Sequence, residues 1–100
     1  MDGQRQAAME ARWNGELIAS SDDIVKLEGN AYFPADSLVA AHVRPSTHTS
    51  VCSWKGTAQY YDLVVGEAVN ANAAWYYPEP KAEAAAIRGR VAFWKGVKVS

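Results

Sequence analysis

Turn signals recur along this chain at roughly the 8–12-residue spacing of antiparallel β proteins, and they leave room for little except short strands. Asn14-Gly15 supplies the two positive-φ positions of a type I′ hairpin turn, with Trp13 before it and Leu17 to Ala19 after it as paired strands. Ser20 to Asp23 reads as a turn. Ile24 to Glu28 then alternates apolar and polar, as a half-buried strand does. Gly29-Asn30 reads as a second two-residue turn, with Ala31 to Phe33 returning until Pro34 stops the pairing. Val43 to Thr47 reads as a break. His48 to Cys52 and Thr57 to Val65 are expected as strands around a Trp54-Lys55-Gly56 turn. Gly66 to Ala68 is a turn, Val69 to Ala73 is ambiguous, and Ala74 to Tyr77 is a strand by its aromatic content, ended by Pro78-Glu79-Pro80. Val91 to Trp94 and Val97 to Val99, around Lys95-Gly96, read as a final hairpin.

Helical signals are confined to two places. Ala35 to Ala41 can form about one and a half turns after Pro34, its rival being a plain connector. Lys81 to Ile87 has the strongest helix propensity in the chain, with Gly89 as a stop. The expected fold is mainly β: antiparallel strands and hairpins with one or two short helices.

The 100 residues suit one domain, expected over 9–100 after a loose arm at 1–8. A formal charge of -1 selects neither nucleic acid nor an anionic membrane as partner. No apolar run reaches the roughly 20 residues of a membrane span, and the first residues lack the apolar stretch of a signal peptide. A single cysteine makes no internal disulfide, which fits a reducing cytoplasm. One cysteine and two histidines fall short of a tetrahedral zinc set, so neither metal nor cofactor is expected.

Chemistry-bearing groups gather in Thr49 to Tyr61, which holds Cys52, Trp54, Lys55, Tyr60 and Tyr61. Cys52 reads most simply as a small buried apolar residue, because a thiol nucleophile wants a neighbouring base. His48 is too far along a regular strand to serve, at about 13 Å. Lys55 offers an ammonium to an anion, against the plainer reading of a solvated turn lysine. No phosphate-loop motif is present, and Asp22-Asp23, being adjacent, would point to opposite faces of a strand. The aromatic runs constrain more. Side chains on a strand alternate, so Trp75, Tyr76 and Tyr77 cannot all enter one core, and neither can Tyr60 and Tyr61. Parity therefore favours an aromatic-lined pocket over a core made of all of them.

Five motifs in order, Ala11-Arg-Trp-Asn-Gly, Gly29-Asn-Ala-Tyr-Phe-Pro, Val51-Cys-Ser-Trp-Lys-Gly-Thr-Ala-Gln-Tyr-Tyr-Asp, Ala73-Ala-Trp-Tyr-Tyr-Pro and Ile87-Arg-Gly-Arg-Val-Ala-Phe-Trp, resemble the bacterial and fungal domain-of-unknown-function 427 family. That family is sometimes filed under a nucleotidyltransferase label. The resemblance covers residues 9–99 and implies a small β-tent fold, of the kind also seen in methionine sulfoxide reductase B and yippee-type domains. The family motif reads Cys-Pro-Trp/Tyr-Lys-Gly, and here Ser53 stands at the proline position, which loosens the turn. The resemblance implies a fold and no established activity.

Two functions fit these observations. One is a small-molecule site, with or without catalysis, walled by Trp54, Tyr60, Trp75 and Tyr77, with Lys55, Arg44 and Cys52 as polar or reactive groups; its ligand would be flat, and anionic or carbonyl-bearing. The other is a non-catalytic module that binds a protein through exposed aromatics.

Overall fold

The computed structural model describes residues 8–100. The arm expected at 1–8 lies outside the described residues except for Ala8. Among the described residues, nine strands form three antiparallel sheets. β1 (Met9–Trp13) and β2 (Glu16–Ser21) pair around Asn14-Gly15, at φ 54° and 81°, so the first hairpin is the type I′ turn that the sequence implies. β3 (Val25–Leu27) and β4 (Asn30–Tyr32) form a separate two-stranded ribbon. β5 (Val43–Cys52), β6 (Gly56–Val65), β7 (Ala68–Tyr76) and β8 (Val91–Phe93) make the main sheet in that order, and β9 (Lys98–Val99) joins the free edge of β1. No helix among the described residues is long and apolar enough to cross a membrane.

The main sheet packs on both faces, and alternation assigns its residues. Tyr61, Leu63 and Val65 of β6, Ala74 and Tyr76 of β7, and Val91 and Phe93 of β8 meet Ile18, Ala19 and Phe33 on one side. Ala58 and Tyr60, Trp75 and Tyr77, and Ala92 meet Tyr32, Ala84 and Ile87 on the other. Each aromatic run is thus split between two cores. Tyr61 and Tyr76 stack on the first face at 4.9 Å, while Tyr60, Trp75 and Tyr77 share the second.

Four expectations are corrected by the tertiary structure, and one ambiguous stretch is resolved. The turn of the second hairpin is Glu28-Gly29, at φ 56° and 80°, rather than Gly29-Asn30, because glycine takes the second central position as it does in Asn14-Gly15. Val91–Trp94 and Val97–Val99 do not form a hairpin. The Lys95-Gly96 turn exists, but β8 bonds to β7 while β9 bonds to β1, locked by the reciprocal Glu10–Ser100 backbone pair at 2.8 and 3.0 Å. Val43 to Thr47 belongs to β5, which absorbs Pro45 because it is an edge strand with a register shift between Pro45 and Thr49. Val69 to Ala73 is part of β7, where Asn72, at φ 58°, is held by its N–H to Asp62 Oδ1 at 2.9 Å.

The fourth correction concerns helices. Ala35–Ser37, Ala40–His42 and Ala82–Ile87 are 3₁₀ turns, the last broken at Ala84 (φ -115°, ψ 22°). Seven residues of favourable propensity cannot offset the cost of starting an α-helix. Here the segment is also tied at both ends, by Lys81 N–H to Lys55 O at 2.9 Å and Gly89 N–H to Tyr77 O at 3.0 Å.

Candidate functional site

The second face of the main sheet is not completely filled. Between β4, β6, β7 and the end of β8 lies a notch of about 170 Å³. Tyr60, Trp75 and Tyr77 form its floor, Tyr32 and Asn30 one wall, Trp94 its rim, and Lys55 reaches in from the β5–β6 turn. Its aromatic walls are fixed by one another. Trp75 meets Tyr32 edge-on at 6.3 Å and donates its indole N–H to the Tyr32 hydroxyl at 3.2 Å. Trp94 meets Trp75 edge-on at 5.9 Å, anchored by its own N–H on Asn72 O. Tyr60 shares a hydrogen bond of 2.9 Å with Ser50 and lies 4.6 Å from the His48 ring. Such edge-to-face contacts each contribute on the order of 1 kcal/mol beyond burial.

Lys55 departs most from expectation. It is only 8% exposed, not a solvated turn lysine. Its ammonium lies 5.0 Å from the centre of the Trp54 ring and 5.9 Å from that of Tyr77, and it donates to the Glu28 carboxylate. Burial works against the charged form, but the bond to Glu28, helped by the Tyr77 phenol and the Cys52 thiol, outweighs it and the pKa of Lys55 rises. The same bond, with the Trp54 indole adding to it, holds the Glu28 carboxyl below its ordinary value. Tyr77 is 5% exposed and lines the notch, and no buried side-chain polar atom among the described residues lacks a hydrogen-bond partner. Burial, tempered by Lys55, raises the pKa of Tyr77, so it is a protonated donor at neutral pH.

Cys52 is intermediate in exposure, neither sealed in the core nor on the open surface. It sits at the end of β5, and the chain then turns so that the backbone N–H groups of Trp54 and Lys55 lower its pKa, with the Lys55 ammonium adding to the effect.

Of the seven residues singled out in the sequence, Lys55, Tyr60, Trp75 and Tyr77 line the notch. Trp54 lies behind Lys55 as its cation–π partner, and Cys52 packs with the same aromatic cluster. Arg44 does not join them. It is exposed further along the sheet and faces Asp62 at 3.6 Å. Sequence reasoning missed Tyr32, Trp94, Asn30 and Glu28. Parity would have flagged two of these, since Tyr32-Phe33 and Phe93-Trp94 are aromatic pairs on strands or strand ends, as Tyr60-Tyr61 is. No local signal marks Glu28 or Asn30.

Larger depressions elsewhere are less constructed. One of about 420 Å³ lies between Pro34–Asp36 and Arg88–Arg90, where Arg90 is already engaged by Asp23.

The model of a domain of unknown function, DUF427, matches residues 3–100. The chain belongs to the DUF427 family. No curated protein matches it. In this DUF427 domain the Cys52-Ser-Trp-Lys-Gly56 motif builds one corner of the notch, and Tyr32 and Trp75 come from two further motifs. No group of three His, Cys, Asp or Glu side chains suited to a metal lies together among the described residues.

Proposed function

We propose that this DUF427 domain binds a small flat ligand, anionic or carbonyl-bearing, in the aromatic notch beside Lys55. One observation carries the reading: a largely buried lysine and a largely buried tyrosine line the same aromatic-walled space. Cavities of about 150 Å³ hold benzene, so a notch of this size takes one ring. Lys55 and Tyr77 then donate to an oxygen on the ring or next to it. Glu28 competes for Lys55, so an anionic ligand enters by displacing a half-exposed carboxylate.

Tryptophan fluorescence against a panel of nucleotides, aromatic acids and cofactors tests this reading. Trp75→Ala is expected to abolish binding, and Lys55→Ala to weaken it by about 1–3 kcal/mol through loss of a charged hydrogen bond. Glu28→Gln is expected to tighten anion binding. A panel without a saturable response, or affinities that ignore Trp75, would overturn it.

A second reading, a non-catalytic interaction module, draws support from Val51, 80% exposed on the edge strand β5. A partner there would protect the β5 edge amides and leave the notch accessible.

A further inference from the structure

Of the aromatic side chains among the described residues, Trp94 alone is exposed, at 47%, and it lines the notch. A lone exposed tryptophan needs no explanation by itself. Trp94 differs because it is held in place at the mouth of a cavity. Its indole N–H donates to Asn72 O at 2.6 Å and its backbone N–H to Ala73 O at 3.0 Å. The Lys95 ammonium lies over the ring, 5.2 Å from its centre, and is itself tied to Ala71 O at 3.0 Å. All three carbonyls belong to the stretch of β7 at the register shift between Tyr61 and Leu63, where Asn72 has φ 58° and donates its N–H to Asp62 Oδ1. Irregularities of this kind in a strand pair re-aim the groups around them. An exposed aromatic that is already immobilised loses little entropy when a ligand packs on it.

Lys55 and Trp94 mark opposite ends of the notch. Lys55 O accepts the Lys81 N–H, past Tyr77, where β7 has already stopped. Trp94 bonds to Ala73, on the other side of Trp75. Trp75 and Tyr77 share one face of the sheet. Two residues so related are about 7 Å apart along a strand. The Trp94 ring then lies a further 5.9 Å from that of Trp75. The enclosed space, about 170 Å³, takes a single ring. A ring whose carboxylate meets Lys55 therefore leaves the exposed part of Trp94 uncovered, and a second ring continuing away from that carboxylate covers it. We infer that Trp94 is a specificity-determining residue of the notch, selecting planar carboxylates with two ring systems in line, the inner ring on Trp75 and the outer ring on Trp94. The inference rests on the proposed reading of the notch as a ligand site, and adds to it a length and a direction.

The test uses the full chain, with benzoate, 2-naphthoate and 1-naphthoate as probes and titration calorimetry as the readout. In 2-naphthoate the second ring continues away from the carboxylate, and in 1-naphthoate it lies beside it. The two isomers have the same atoms and nearly the same apolar surface, so a difference between them reports direction rather than hydrophobicity. Wild type is expected to bind 2-naphthoate about five-fold tighter than 1-naphthoate, the scale of one aromatic contact. Trp94→Ala is expected to bring the isomers within about two-fold of each other, and Trp94→Phe to keep part of the preference. A merely structural Trp94 would instead weaken benzoate and both naphthoates alike when removed, and that result overturns the inference. So does a wild type that binds the isomers equally, or a preference that survives Trp94→Ala. Benzoate separates this inference from the reading beneath it. If benzoate binds and Trp75→Ala removes that binding, but the isomers are not distinguished, only the role of Trp94 fails; if none of the three acids binds, the ligand seat fails with it.

Discussion

The chain contains Trp-Lys-Gly twice, at residues 54–56 and 94–96, and the two copies end in different surroundings. In both, the ammonium lies over the preceding indole, at 5.0 and 5.2 Å from the ring centre. The likeness ends there. Lys55 is buried and paired with Glu28, whereas Lys95 is exposed and donates to Ala71 O at 3.0 Å. Gly56, at φ 119°, opens β6 directly against the backbone of Glu79 to Lys81, while Gly96, at φ 86°, faces open space. A cation over its neighbouring ring is a local preference that three residues can encode. Burial and charge pairing are not local, because they depend on the β3–β4 ribbon bringing Glu28 to a turn 27 residues away.

The contrast breaks most visibly at the glycines. Gly56→Val is expected to cost about 3 kcal/mol, since φ 119° lies further from the left-handed region that side chains tolerate, and the valine methyls, beyond a Cβ already in contact with Glu79 O at 3.4 Å, meet fixed backbone. Gly96→Val, strained in φ alone, is expected to cost about 1 kcal/mol. Urea unfolding of both variants checks this, and equal losses would mean that the packing of the first turn adds nothing.

A smaller gap is expected at the lysines. Lys55→Ala removes a packed stem and a charged hydrogen bond and is expected to destabilise by about 2 kcal/mol. Lys95→Ala is a surface change and is expected to stay within about 0.5 kcal/mol. Thermal melts of the two variants side by side would show whether burial makes that difference.

The subtlest difference is in pH dependence. Glu28 has a lowered folded pKa, so its contribution is present above the unfolded carboxylate value and is lost as pH falls through the folded one. Lys55 has a raised folded pKa, so its contribution is present below the unfolded lysine value and is lost as pH rises through the folded one. The stability advantage of the wild type over Glu28→Gln should therefore hold across neutral pH, shrink in acid and shrink again in strong alkali. Lys95→Met, compared in the same way, should show no acid limb. A flat Glu28→Gln difference down to acid would mean the pair contributes no stability in solution.

Much of the fold was legible because its signals are short-range. Asn14-Gly15 encodes its own turn, since few dipeptides tolerate two positive φ values in succession. Strand parity split Tyr60 from Tyr61 and Tyr76 from its neighbours, because alternation is a property of extended backbone whatever it packs against. Three of the seven candidate site residues, Tyr60, Trp75 and Tyr77, line the notch for that reason. What was misread needed partners distant in sequence. Val97–Val99 follows a turn that looks like a hairpin, yet the strand after it goes to β1, whose open edge no local rule reveals. Lys81–Ile87 carries α-helical propensity but is a kinked pair of 3₁₀ turns, because its ends are bound to Lys55 and Tyr77 backbone. Arg44 was grouped with Lys55 by chemistry alone, and the sheet carries it to Asp62 instead.

The sequence by itself therefore determined where this chain turns and which side chains share a strand face, since backbone sterics act within a few residues. Only the tertiary structure decided that Lys55 is buried while Lys95 is not, that Glu28 meets it, and that Tyr32 and Trp94 complete the walls. Those outcomes depend on how three sheets pack, and packing is set by contacts between segments far apart in the chain.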